Sequence, residues 1–85
     1  MKHVEIYTTP TCGFCHAAKR LLTQKGITFA EISLAQHPEK RAEMMQRSNG
    51  GRTVPQIFIG ETHVGGCDDL YALENAGKLD ALLAA

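Results

Sequence analysis

Eighty-five residues, 44% of them apolar and 21% charged, predict one small globular domain, near the lower size at which a core holds without staples or metal. Nine Lys and Arg balance nine Asp and Glu, so neither the basic excess of a nucleic-acid binder nor the basic stripe of a membrane-surface helix is present. The sequence opens without a basic, apolar leader or a bilayer-length apolar run, and a cytoplasmic protein is expected.

Residues 3–8 alternate and are rich in β-formers, which predicts a strand, broken by Pro10 and Thr11. From Phe14 onward, Ala17, Ala18, Leu21 and Leu22 fall at helical spacing. Lys19, Arg20 and Lys25 lie toward the carboxyl end and Gly26 serves as the C-cap, so about three turns of helix are expected. Residues 28–34 alternate again, with Phe29 on one side and Ala30 and Ile32 on the other. Strand, helix, strand with short joints predicts a right-handed βαβ unit and a parallel pair.

His37-Pro38-Glu39 has the form of a helix start with Pro at the first helical position. Ala42, Met44 and Met45 then sit in a charged helix that stops at Ser48-Asn49-Gly50-Gly51. Residues 54–59, the turn Gly60-Glu61 and residues 62–64 form a predicted hairpin, whose strands must be antiparallel. Gly65-Gly66-Cys67-Asp68-Asp69 opens a last helix carrying Leu70 and Leu73, and after Gly77 a final turn carries Leu79, Leu82 and Leu83. The expected fold class is α/β: a single domain over residues 1–85, its four-stranded mixed sheet in the order βαβ-α-ββ-α.

Three cysteines are too few, and odd in number, for the disulfide framework of a small secreted scaffold. Two stand at Cys-x-x-Cys spacing, Cys12-Gly13-Phe14-Cys15, where strand gives way to helix. The helix N-terminus offers Cys12 unpaired N–H groups and a positive dipole end, both of which favour the nucleophilic thiolate. Cys15, three residues on and on the same helical face, can reach a mixed disulfide formed on Cys12 and expel the partner thiol. Cys12 is therefore the expected nucleophile and Cys15 the resolving thiol. A competing interpretation makes the pair half of a zinc site completed by Cys67, His16 or His63, although no second Cys or His pair stands at the usual spacing. Taken alone, Cys67 is either a buried structural thiol or a bystander near the site. None of the four histidines, His3, His16, His37 and His63, is given a role.

The strand end Val4-Glu5-Ile6-Tyr7-Thr8, the dithiol, the run Thr53-Val54-Pro55-Gln56-Ile57-Phe58-Ile59 and the run Gly65-Gly66-Cys67-Asp68-Asp69-Leu70 together resemble the landmarks of bacterial dithiol glutaredoxins, in the same order. The resemblance spans essentially the whole chain. Thioredoxins usually show Trp-Cys-Gly-Pro-Cys, and this chain has no Trp. The resemblance implies a thioredoxin-like fold and a monomeric glutathione-disulfide oxidoreductase. Its substrates would be disulfide or glutathionylated proteins, with ribonucleotide reductase as one candidate acceptor.

The same resemblance implies the residues that meet glutathione. Pro55 would be a cis proline that exposes the backbone of Val54, next to Thr53, for pairing with the extended tripeptide. Gly66, Cys67 and Asp68 would receive the γ-glutamyl end, its carboxylate at helix N–H groups and its ammonium at the Asp68 carboxylate; Asp68 and Asp69 can also cap that helix. Phe14 stands where Tyr is more usual and keeps an apolar wall beside the sulfurs. Three departures from the family pattern stand out. Thr9 replaces a Lys that would meet the glycyl carboxylate, leaving Arg41 or Arg52 to supply that charge. The joint from Ser48 to Val54 is one residue longer than usual. Gly13 replaces the commoner Pro, and some relatives with a small residue there hold a [2Fe-2S] cluster between two subunits through the first cysteine and glutathione.

Overall fold

The alternation of Val4 and Ile6 against Glu5 and Tyr7 divides the first strand between two cores, because successive strand residues point to opposite faces. A computed structural model describes residues 1–84. Its strands are β1 (Val4–Thr8), β2 (Ala30–Ser33), β3 (Gln56–Ile59) and β4 (Thr62–Gly65), and its helices α1 (Gly13–Gln24), α2 (Lys40–Arg47), α3 (Cys67–Asn75) and α4 (Leu79–Leu83). The sheet order is β2-β1-β3-β4. β1 runs parallel to β2 and antiparallel to β3, and β3 is antiparallel to β4. The mixed sheet and the parallel βαβ pair are thus those the pattern predicts.

Val4, Ile6, Ile57 and Ile59 pack on one face against Ala18, Leu21 and Leu22 of α1, Leu70 of α3, and Leu79 and Leu83 of α4. Tyr7 and Phe58 point the other way, onto Leu34 and Met44. Each fully buried Leu or Ile contributes about 1.5–3 kcal/mol relative to exposure. Under α2 the buried Tyr7 hydroxyl donates to Glu43 Oε2 at 2.6 Å and accepts from Arg47 Nη1 at 2.9 Å, while Arg47 Nη2 reaches Glu5 Oε1 at 2.8 Å. The second face is therefore tied to the sheet by a polar network as well as by packing.

Several element bounds differ from the sequence expectation. Pro38 is not the first helical residue: α2 begins at Lys40, after a tight turn in which Lys40 N–H and Arg41 N–H bond the carbonyls of His37 and Pro38. β2 covers only residues 30–33 of the expected 28–34, since its ladder starts opposite Glu5 and the chain turns after Ser33. β3 begins at Gln56 because the Val54–Pro55 bond is cis and Pro55 has no N–H for the ladder. After α2 the chain turns at Asn49, which has φ 56°. From there Asn49 N–H bonds Gln46 O and Gly50 N–H bonds Met45 O, a Schellman closure of the helix. Among the described residues no helix is long and apolar enough to cross a membrane.

Candidate functional site

Cys12 ends the β1 loop in extended geometry and is the N-cap of α1. Its Sγ accepts the Cys15 backbone N–H at 3.1 Å, so one of the helix's orphan donors is spent on that sulfur. The half-buried Cys12 thiol lies 3.5 Å from the Val54 carbonyl, on the far side of the site. Cys15, behind it, is 0% exposed. Burial first, and then its hydrogen bond with Cys12, push the Cys15 thiol up to about 12. The two thiols are chemically unlike: one faces solvent at a helix end, the other is held protonated beneath it.

Beside Cys12 a cleft of about 420 Å³ opens between the cis Val54–Pro55 segment and the start of α3. Phe14, Thr53, Val54, Pro55, Gly66, Cys67 and Asp68, all expected at the site, line it. Phe14 is 66% exposed and forms an open apolar edge. Gly66 is the N-cap of α3, and Asp69 closes the cap by accepting the Gly66 N–H at 3.0 Å. Capping therefore falls to Asp69 and leaves the exposed Asp68 carboxylate at the cleft. The Cys67 thiol is buried, and burial first, then Asp68 and Cys12, push it upward.

Arg41 is not brought into the cleft lining. Its Nη1 donates to the Arg52 carbonyl at 3.1 Å, one residue before Thr53, so it touches the rim through the backbone. Four lining residues are not assigned to the cleft from the sequence: Gln56, His63, Gly65 and Asp69, the last of which is expected only as a cap of the last helix. Gln56 left a signal, a lone amide in the apolar run 54–59; His63 left none, because only the pairing of Phe58 with His63 carries it there. Among the described residues no three or more His, Cys, Asp or Glu are grouped to hold a metal ion. Cys67, His16 and His63 are thus not gathered with the dithiol into a zinc ligand set.

Comparison with known proteins follows the same lines. The glutaredoxin family model matches residues 4–64. A glutaredoxin of Pseudomonas aeruginosa is 61% identical over 85 residues, 100% of both chains. Glutaredoxin 3 of Escherichia coli K12 is 57% identical over 83 residues, 98% of this chain and 99% of the relative. The crystal structure of a buckwheat glutaredoxin-glutathione complex matches with a TM-score of 0.87 at 34% identity, covering 96% of this chain and 76% of that one.

Proposed function

Because the chain belongs to the glutaredoxin family, thiol-disulfide oxidoreductases of thioredoxin-like fold that work with glutathione, we propose that it reduces protein-glutathione mixed disulfides and protein disulfides with Cys12 as nucleophile. The observation that carries this reading is the Cys12 sulfur itself, half-buried at the α1 N-cap, fed by the Cys15 N–H and facing the Val54 carbonyl at the cleft edge. In the first step the Cys12 thiolate attacks the glutathione sulfur of a mixed disulfide. A Cys12–glutathione disulfide forms and the substrate sulfur leaves as a thiolate that takes a proton. A second glutathione thiolate then attacks the glutathione sulfur of that intermediate, releasing glutathione disulfide and restoring the Cys12 thiolate.

With a protein disulfide the first attack leaves the substrate bonded to Cys12. Cys15 loses its proton, attacks Cys12 Sγ and displaces the substrate thiolate; two glutathiones afterwards reduce the Cys12–Cys15 disulfide. Glutathione lies in the cleft with its backbone along Val54, its γ-glutamyl carboxylate at the α3 N–H groups, and its ammonium at Asp68. Arg41, or Arg52 beside it, meets the glycyl carboxylate. The expected setting is a monomer in the reducing cytoplasm, with ribonucleotide reductase among the candidate acceptors. The test is a coupled assay with glutathione reductase and a glutathionylated disulfide. Cys12→Ser should abolish turnover and Cys15→Ser should spare it, while reduction of a protein disulfide should need both. Equal loss from both variants on the mixed disulfide refutes the division of labour.

Cys12 also suits a second role, the one the exposed Gly13 and Phe14 beside it favour. Cys15 and Cys67 are buried, so each chain can offer one surface thiolate to a [2Fe-2S] cluster, and a second chain with two glutathiones would complete the four. Such a cluster supplies one-electron chemistry or transferable iron and sulfide. Anaerobic reconstitution with iron, sulfide and glutathione should then give a coloured dimer, suppressed by Gly13→Pro; a colourless monomer rules this role out.

A further inference from the structure

Gln56 opens β3 and is 5% exposed, an amide among Ile57, Phe58 and Ile59. A buried amide needs partners at both ends. Its Nε2 donates back to the Thr53 carbonyl at 3.0 Å and lies 3.4 Å from Thr53 Oγ1, while its Oε1 stands 2.7 Å from His63 Nε2. An amide oxygen only accepts, so His63 Nε2 carries the hydrogen and donates it. That contact fixes which way the amide faces: with Oε1 on His63, Nε2 is turned to Thr53.

The His63 ring is itself held in place. It is the cross-strand partner of Phe58 and stacks on it with centroids 4.9 Å apart and planes at 28°. The Arg47 guanidinium lies 4.1 Å from the same Phe58 ring centroid. From this chain of contacts we infer that His63 is a positioning residue for the tripeptide subsite, acting through Gln56 on the Thr53–Val54 peptide; the inference rests on the glutathione reading above. The Thr53–Val54 bond is not among the cis bonds, and in a planar trans peptide the N–H points opposite to the C=O. Pinning the Thr53 carbonyl on Gln56 therefore aims the Val54 N–H away from it, as a fixed donor for the ligand backbone. Without His63 the buried Oε1 loses its donor, and the amide is held by its Nε2 bond to Thr53 alone.

His63→Phe keeps a ring to stack on Phe58 and removes only the donor. In the coupled assay it should raise the KM for glutathione roughly threefold to tenfold, the value of one net hydrogen bond, and leave kcat within about twofold. His63→Gln, which restores an N–H donor, should recover most of the loss. Gln56→Leu should reproduce the defect, and His63→Phe with Gln56→Leu should be no worse than Gln56→Leu alone, as expected of residues acting in series. The Val54 amide resonance should shift in His63→Phe before any ligand is added. An unchanged KM in His63→Phe, or additive effects in the double variant, overturns the inference alone. Absence of glutathione-linked turnover in the unaltered chain overturns the parent reading and this one with it.

Discussion

Raising the pH from about 6 to about 9 should accelerate closure of the Cys12–Cys15 disulfide about tenfold per unit, because the attacking species is the Cys15 thiolate. A thiol held at about 12 against an ordinary 9.0 carries about a thousandfold less thiolate at neutral pH. The first cause is burial, which persists when Cys12 is tied up in a mixed disulfide. The second, the hydrogen bond with Cys12, weakens once that sulfur is bonded, so the resolving thiol is most reactive when it is needed. Ellman's reagent separates the steps. Cys12 releases a first coloured thiolate as it forms the mixed disulfide, and Cys15 releases a second as it closes the ring. The second phase should climb through the whole pH range without a plateau and vanish in Cys15→Ser. It should survive Cys67→Ala, whose thiol lies buried at the α3 start. A second phase that bends toward a plateau near about pH 9 would refute the burial argument, since Cys15 would then ionise like an exposed cysteine.

Asp68→Ala should raise the KM for glutathione about tenfold through loss of a charge-assisted bond. Asp69→Ala should instead cost about 1 kcal/mol of stability through the lost Gly66 cap, read from the denaturant midpoint. Tyr7→Phe leaves Glu43 and Arg47 without their buried partner and should cost about 1–3 kcal/mol with little change in KM. The Tyr7 hydroxyl is the first cause holding the Glu43 carboxyl below its ordinary 4.5. The stabilisation is thus present above 4.5 and lost as the pH falls through the lower folded value, so the Tyr7→Phe deficit should shrink in acid, as equilibrium unfolding across pH 3–7 would read. Arg41→Ala should change KM by less than about fivefold, since an exposed cation is worth below ~1 kcal/mol, and Thr9→Lys should recover that change if the glycyl carboxylate is held by charge.

Local pattern made much of this protein legible. Strand alternation separated Val4 and Ile6 from Tyr7, and the break at Pro10 and Thr11 put Cys12 where a helix must start. Both follow from periodicities of two and 3.6 residues, which neighbours in sequence suffice to express. The resemblance supplied the cis Val54–Pro55 bond and most of the cleft lining, because those residues stand in contiguous runs. Local pattern misjudged the start of α2, where Pro38 looks like a helical first position but the turn at His37 delays the helix by two residues.

By itself, then, the sequence determined the two-faced strands, the helix that begins at Cys12 and the unlike roles open to its two thiols. Only the tertiary structure decided what lies across from them. The Val54 carbonyl meets Cys12 from 42 residues away because β3 inserts beside β1. The register of β3 against β4 pairs Phe58 with His63, and so gives the buried Gln56 amide its donor. Arg41 turns to the Arg52 carbonyl instead of into the cleft. Such contacts depend on strand register, in which a slip of one residue sends every side chain to the other face, and no local periodicity carries that information.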